Sequence, residues 1–332
     1  MSHLSYLEAI VVGAFQGFSE LFPISSLGHS VLIPALVGGQ WATDLSVSTP
    51  ESPYLAFIVG LHVATASALL VFFWRDWVRI IRGFFTSIAH RRLETSYERL
   101  AWLIVIATIP VGISGLLLEH LFRTTLGRPI PAACFLLING LILLAGERLR
   151  RREPTPTTAG HPHEDTRGGA LTMGDIARTT AVRTTTEAGE GLLEDQTIGE
   201  ASDLRLSRLG FLSATAIGAA QILALLPGIS RSGVTMVAGL IKGLSHEDAA
   251  RFSFLLATPV IFAAGVLKVP DLFGPLGNGI RGQVLAGSIA SFISAYLSVR
   301  FLTRYFRTRT LTPFAIYSIA LGAGSILWLT VS

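Results

Sequence analysis

Charge is scarce in this chain. Only 14% of its 332 residues are Asp, Glu, Lys or Arg, half are hydrophobic, and the mean hydropathy is +0.56. Soluble domains carry about a quarter charged residues, so this is a polytopic membrane protein. Cysteine is nearly absent, and the lone Cys134 excludes an internal disulfide framework. The N-terminus lacks a basic region and Glu8 interrupts the early apolar run, so no cleavable signal is expected. The net charge of +4 hides a split: residues 153–204 carry ten acidic side chains and three Arg, leaving about +11 elsewhere. That excess clusters beside apolar runs, where the positive-inside bias accounts for it. Nucleic-acid binding is therefore not expected.

What the chain does have is long apolar runs. Six are long enough, or nearly so, to span a bilayer: Tyr54–Trp74, Leu100–Leu118, Pro131–Gly146, Phe252–Lys268, Val284–Leu302 and Pro313–Leu329. Arginines follow the first (Arg75, Arg79, Arg82, Arg91, Arg92, Arg99), the third (Arg148, Arg150, Arg151, Arg152) and the fifth (Arg300, Arg304, Arg307, Arg309). These loops are expected to be cytoplasmic. Residues 153–204 are rich in Thr, Gly, Glu and Asp and poor in large apolar side chains. They read as a disordered cytoplasmic insertion.

Two further apolar stretches are broken. Tyr6–Val37 contains Gln16-Gly17-Phe18-Ser19-Glu20-Leu21-Phe22-Pro23-Ile24-Ser25-Ser26-Leu27-Gly28-His29-Ser30. Gln16 and Glu20 share a helix face, Pro23 ends the helix, and Ser25 and Ser26 sit where a second helix would be capped. Leu209–Ile241 repeats the pattern: Gly13-Ala14-Phe15-Gln16 recurs as Gly218-Ala219-Ala220-Gln221, and Pro23-Ile24-Ser25-Ser26 as Pro227-Gly228-Ile229-Ser230-Arg231. Paired interruptions in two halves point to a midplane site between inverted repeats. The expected fold is all-α, with six transmembrane helices and two re-entrant helix pairs. Residues 1–152 form the first repeat and 205–332 the second, each a re-entrant pair plus three spans. Both termini then lie outside, and the first pair enters from outside.

The segment from Gln16 to His29 resembles the first motif of the undecaprenyl-diphosphatase family of bacterial membranes, also called the bacitracin-resistance family. Pro227-Gly228-Ile229-Ser230-Arg231-Ser232-Gly233-Val234-Thr235 resembles its second motif. The resemblance covers nearly the whole chain apart from residues 153–204, an insertion longer than the family's usual central loop. Gln16 stands where many members have Glu, and Leu27 where Thr is usual. The resemblance implies removal of one phosphate from a polyprenyl diphosphate. That regenerates the monophosphate carrier of peptidoglycan synthesis and confers bacitracin resistance. It further implies dependence on a divalent cation and a site toward the outer face of the plasma membrane.

On that basis Glu20, with Gln16, is the expected ligand of Mg²⁺ or Ca²⁺. Arg231 is the expected phosphate clamp, because a guanidinium donates in a fork and stays charged when buried. Ser25, Ser230, Ser232, Gly233 and Thr235 are expected to bind the anion with hydroxyls and helix-start N–H groups. Ser26 and His29 are the candidates for nucleophile or acid–base catalyst, with activated water as a third choice. Gln221, related to Gln16 by the repeat, is expected to coordinate the metal, to bridge the two broken helices or to hydrogen-bond structurally. His62, Asn139 and Glu147 read as packing or interface groups, and His161 and His163 as no metal tract. The partners are the lipid substrate and the bilayer, with a homodimer left open. A competing class is a lipid-phosphate flippase without hydrolysis, since broken helices in inverted repeats also build transporters.

Overall fold

A computed structural model describes residues 4–39, 53–150, 197–274 and 279–331. Among the described residues the regular structure is helical, with no strand. In chain order the helices are α1 (Tyr6–Leu21), α2 (Ser26–Val37), α3 (Pro53–Phe72), α4 (Trp74–His90), α5 (Ser96–Leu126) and α6 (Pro129–Arg150). Then follow α7 (Thr197–Ser207), α8 (Phe211–Ala220), which tightens into a 3₁₀ turn over Gln221–Leu225, α9 (Arg231–Ile241), α10 (His246–Phe273), α11 (Arg281–Tyr305) and α12 (Thr312–Val331).

The protein is an all-α polytopic membrane protein. All six sequence-expected spans are helices: α3, α5, α6, α10, α11 and α12. Large apolar side chains on their outer faces stay exposed, among them Leu116, Leu141, Leu297 and Leu327. Such a surface suits lipid rather than water. The helices α2 and α9, at 12 and 11 residues, are too short to cross.

Local chemistry sets the broken elements. Ser5 and Glu8 form a capping box, so the acidic residue that interrupts the apolar run starts α1. Pro23 ends α1, and the chain turns extended at Phe22. Ser25 caps α2 by accepting from the Gly28 N–H at 3.2 Å, and Ser230 caps α9 by accepting from the Gly233 N–H at 3.2 Å.

Packing then crosses between the chain's two halves. Gly13 and Gly17 press α1 onto the backbone of α11 at Gly287 and Ser291, leaving no room for a Cβ. Gly218, Gly13's counterpart in the repeated Gly-Ala-x-Gln, presses α8 onto the Ala107 carbonyl of α5 in the same way. Without water to drive association, close approach of small residues supplies the van der Waals contact. Helix α6 packs along α12, while α3 packs against α10 and α11.

Two helices depart from expectation. The Arg-rich stretch after the first span is no loop: it is α4, bent 86° from α3. Trp74, Val78, Ile81, Phe85 and Ile88 form an exposed stripe at helical spacing, while Ile80, Gly83 and Ser87 are buried. An exposed apolar stripe beside arginines is the pattern of a helix lying in the membrane interface. The interleaved charges hid its period. Helix α7 occupies the last residues of the expected insertion. Its Asp203 accepts from Arg251 of α10 at 2.7 and 3.0 Å, and Arg251 also reaches Asp76 of α4 at 3.1 Å. Arg205 forks onto Asp248 of α10 at 2.8 and 2.7 Å. Long-range ion pairs order this polar segment, and composition cannot reveal them. Residues 153–196, including His161 and His163, lie outside the described residues.

Candidate active site at the crossing of two broken helices

The two breaks meet. A Cβ built on Gly28 would fall 2.7 Å from the Gly228 Cα. Gly228 itself has φ 113°, open to glycine alone, and no space for a Cβ against α6. Ser25 Oγ accepts from the Gly228 N–H at 3.2 Å, across the two halves. Asn139 of α6 stitches both breaks: its Nδ2 donates to the Pro23 carbonyl at 3.1 Å, and its Oδ1 accepts from the Ser230 N–H at 2.9 Å. Ser230 and Ser232 hydroxyls donate to the Phe22 carbonyl at 3.4 and 3.2 Å. Ser25 has φ 68°, a strained value for a non-glycine residue, and this bonding holds it there. Asn139 lies mid-way along α6, so the crossing sits deep in the bundle.

At the end of α1 four side chains converge on the Glu20 carboxylate. Arg231, first residue of α9, donates through Nη2 to Glu20 Oε1. Ser26 Oγ donates to Oε2. Gln16 Nε2 donates to Oε2 at 3.0 Å, and His62 Nε2 of α3 lies 3.5 Å from it. Glu20 is buried, and the Arg231 side chain keeps 18% of its exposure. A buried carboxylate with a guanidinium partner avoids an uncompensated charge. The serine hydroxyl and the guanidinium therefore come from opposite breaks onto one acidic centre.

His29 is elsewhere. Its Nδ1–H donates to the Ser25 carbonyl at 2.7 Å, and its Nε2 pairs with the Tyr317 hydroxyl at 2.9 Å. Among the described residues it makes no hydrogen bond to Glu20, Ser26 or Arg231. Thr235 turns its hydroxyl back onto the Arg231 carbonyl at 2.7 Å. Gln221, the repeat counterpart of Gln16, is buried, and among the described residues neither amide atom finds the hydrogen bond expected of it. The repeat is thus chemically asymmetric, with one half carrying the carboxylate and the other the guanidinium.

A family model described as "Bacitracin resistance protein BacA" matches residues 9–324. The chain belongs to that bacitracin-resistance family. An undecaprenyl-diphosphatase of Mycolicibacterium paratuberculosis is 65% identical over 99% of both chains. "Undecaprenyl-diphosphatase 1" of Frankia casuarinae is 55% identical, covering 97% of this chain and 98% of the relative. An undecaprenyl-diphosphatase of Granulibacter bethesdensis is 38% identical, covering 98% and 97%. The matched span takes in both breaks and the Glu20–Arg231 contact.

Three further residues stand at this family member's crossing: His62 and Asn139, which read from sequence as packing or interface groups, and Tyr317, which the sequence did not single out. His62 and Asn139 did carry a signal, as polar groups within apolar spans are costly to keep there. Tyr317 carried none. Glu147 does serve packing: Oε1 accepts from the Leu311 N–H at 2.7 Å and pairs with His246 Nε2 at 2.5 Å, tying α6 to α12 and α10. Among the described residues no three His, Cys, Asp or Glu side chains cluster to cage a metal. Among the described side chains that meet at the crossing Glu20 is the one carboxylate, and Gln16, Ser26, His62 and Arg231 stand around it.

Proposed function

We propose that the protein hydrolyses undecaprenyl diphosphate, or a similar polyprenyl diphosphate, to the monophosphate and free phosphate, within the membrane. This recycles the lipid carrier for peptidoglycan synthesis and confers bacitracin resistance. The relatives' shared name supports the reaction class. The observation that carries the chemistry is the Ser26 hydroxyl donating to Glu20 beside Arg231.

A nucleophile hydrogen-bonded to a base is the arrangement nucleophilic catalysis needs. Arg231 moves its guanidinium from Glu20 Oε1 to the diphosphate, which raises the basicity of Glu20 toward the Ser26 proton held on Oε2. Ser26 Oγ attacks the terminal phosphorus, its proton passes to Glu20, and the bridging P–O bond breaks to release the polyprenyl monophosphate. Water then cleaves the phosphoserine, returning Ser26 and free phosphate. The starts of α2 and α9 supply N–H groups toward the anion, while Ser25, Ser230, Ser232 and Gly233 keep those starts together. Thr235 steadies the first turn of α9. His29, paired with Tyr317, holds the Ser25 turn. Glu20 and Gln16 would hold Mg²⁺ or Ca²⁺, whose chemistry is to neutralise phosphate charge.

The arginine distribution supports a site opening to the outer face, with repeats over 1–152 and 205–332. A flippase needs only phosphate donors, so the hydroxyl–carboxylate pair favours hydrolysis. Phosphate release by the purified protein in detergent tests this. Wild type should release phosphate and Ser26→Ala should not, while His29→Gln, which keeps an amide for Tyr317, should stay within about tenfold of wild type. Lipid movement across vesicles without phosphate release would establish the flippase instead.

A further inference from the structure

Helix α11 carries a long apolar stripe that ends in arginines. Leu285, Ile289, Ile293, Leu297 and Phe301 recur every four residues, and all are exposed. Residues four apart are neighbours on a helix surface, so one lipid-facing track winds about 24 Å along the helix. The track runs into a groove of about 450 Å³, whose walls include Leu297, Arg300, Phe301, Arg304, Tyr305 and Arg309. Small-molecule sites are commonly about 300–1,000 Å³. Aromatic packing fixes these walls: Phe301 stacks on Phe22 at 6.0 Å, and Tyr305 meets the edge of Phe314 at 5.4 Å.

The groove holds charge of one sign. Among the described residues no carboxylate lines it. Glu247, which lines a neighbouring cavity together with Arg300 and Arg304, already pairs with Arg307 at 3.5 Å and Arg205 at 3.6 Å. Arg300, Arg304 and Arg309 are all exposed. The positive-inside bias asks only for arginines near the ends of spans. It does not ask for three of them around one concavity that an apolar track enters. An acidic peptide would match the charge but leave Leu297, Phe301 and the rest of the track uncovered.

We infer that this groove binds an anionic phospholipid, its phosphate held by Arg300, Arg304 and Arg309 and an acyl chain laid along the α11 track. Guanidinium forks suit phosphate oxygens, and basic pockets beside transmembrane helices bind acidic head groups in this way. The inference does not depend on the reaction proposed above.

Native mass spectrometry of the full-length protein in detergent tests it, with phosphatidylglycerol and phosphatidylcholine of the same acyl chains as probes. Wild type should bind phosphatidylglycerol at least about tenfold more tightly than phosphatidylcholine. Arg300→Gln/Arg309→Gln should weaken phosphatidylglycerol binding about thirtyfold. Arg82→Gln/Arg92→Gln, which removes as much exposed charge on and just after α4, should leave it unchanged. Arg300→Gln alone should weaken it about fivefold, which keeps the test decisive if the double variant does not fold. Equal affinity of wild type for the two lipids overturns the inference, as does an equal loss in the two double variants. Loss of phosphatidylglycerol binding in Arg231→Lys would put the lipid at the crossing of the breaks and overturns it too. If the lipid binds only after residues 153–196 are replaced by a Gly/Ser linker, that acidic segment is the occupant and the inference falls.

Discussion

Arg231 and Glu20 meet at the crossing of the two breaks, guanidinium to carboxylate, one from each half of the chain. Burial makes the pair interdependent. Breaking a buried pair by removing one partner costs about 3–5 kcal/mol, because the other charge stays uncompensated. Glu20→Gln should therefore lose nearly all phosphatase activity and also melt at lower temperature. Adding Arg231→Gln to that variant should recover much of the melting temperature but none of the activity. Wild-type phosphate release by Glu20→Gln at saturating Mg²⁺ or Ca²⁺ would show that the carboxylate has no catalytic part.

Arg231→Lys separates charge from shape. Lysine keeps the positive charge but not the planar fork. The loss of one charge-assisted hydrogen bond is worth about 1.5–3 kcal/mol, or one to two decades in kcat/KM. Turnover equal to wild type would mean that a point charge suffices.

Gly28→Ala tests the crossing itself. The new Cβ would press on the Gly228 backbone, which cannot yield without moving Ala132 and Leu136 of α6. Overpacking of this kind costs about 1–3 kcal/mol, and the shift would carry Ser26 away from Glu20. Activity should fall at least about tenfold, read as phosphate release. Gly112→Ala is the control: its Cβ meets nothing within 4 Å, so activity should be unchanged.

The central segment should divide at α7. Replacing residues 153–196 with a shorter Gly/Ser linker should spare activity, since loop length costs little entropy. Extending the replacement through residue 204 removes Ser202 and Asp203, which pair with Asp248 and Arg251. That longer replacement should lower the melting temperature clearly. Equal stability of the two variants, measured by thermal unfolding in detergent, would show that α7 is dispensable.

Hydropathy was enough to place the six spans, because a bilayer demands long apolar runs whatever the fold. Glu20, Ser26 and Arg231 were legible because polar groups beside a proline break inside apolar sequence are costly without a use. That the Ser26 hydroxyl shares the Glu20 carboxylate with Arg231 was not legible. Pattern put His29 one turn from Ser26, but a helix turn fixes only proximity along the axis, and the ring faces Tyr317 on α12 instead. Asn139 and His62 entered the site from α6 and α3, far away in sequence, because close packing of small residues fixes where those spans lie relative to the breaks. Helix α7 is the same lesson in polar form: Asp203 and Arg205 look like solvated charges until α10 brings Arg251 and Asp248 beside them. Periodicity and breaks are written in short windows of the chain. Partnership between windows depends on packing in three dimensions, and that was decided by the fold.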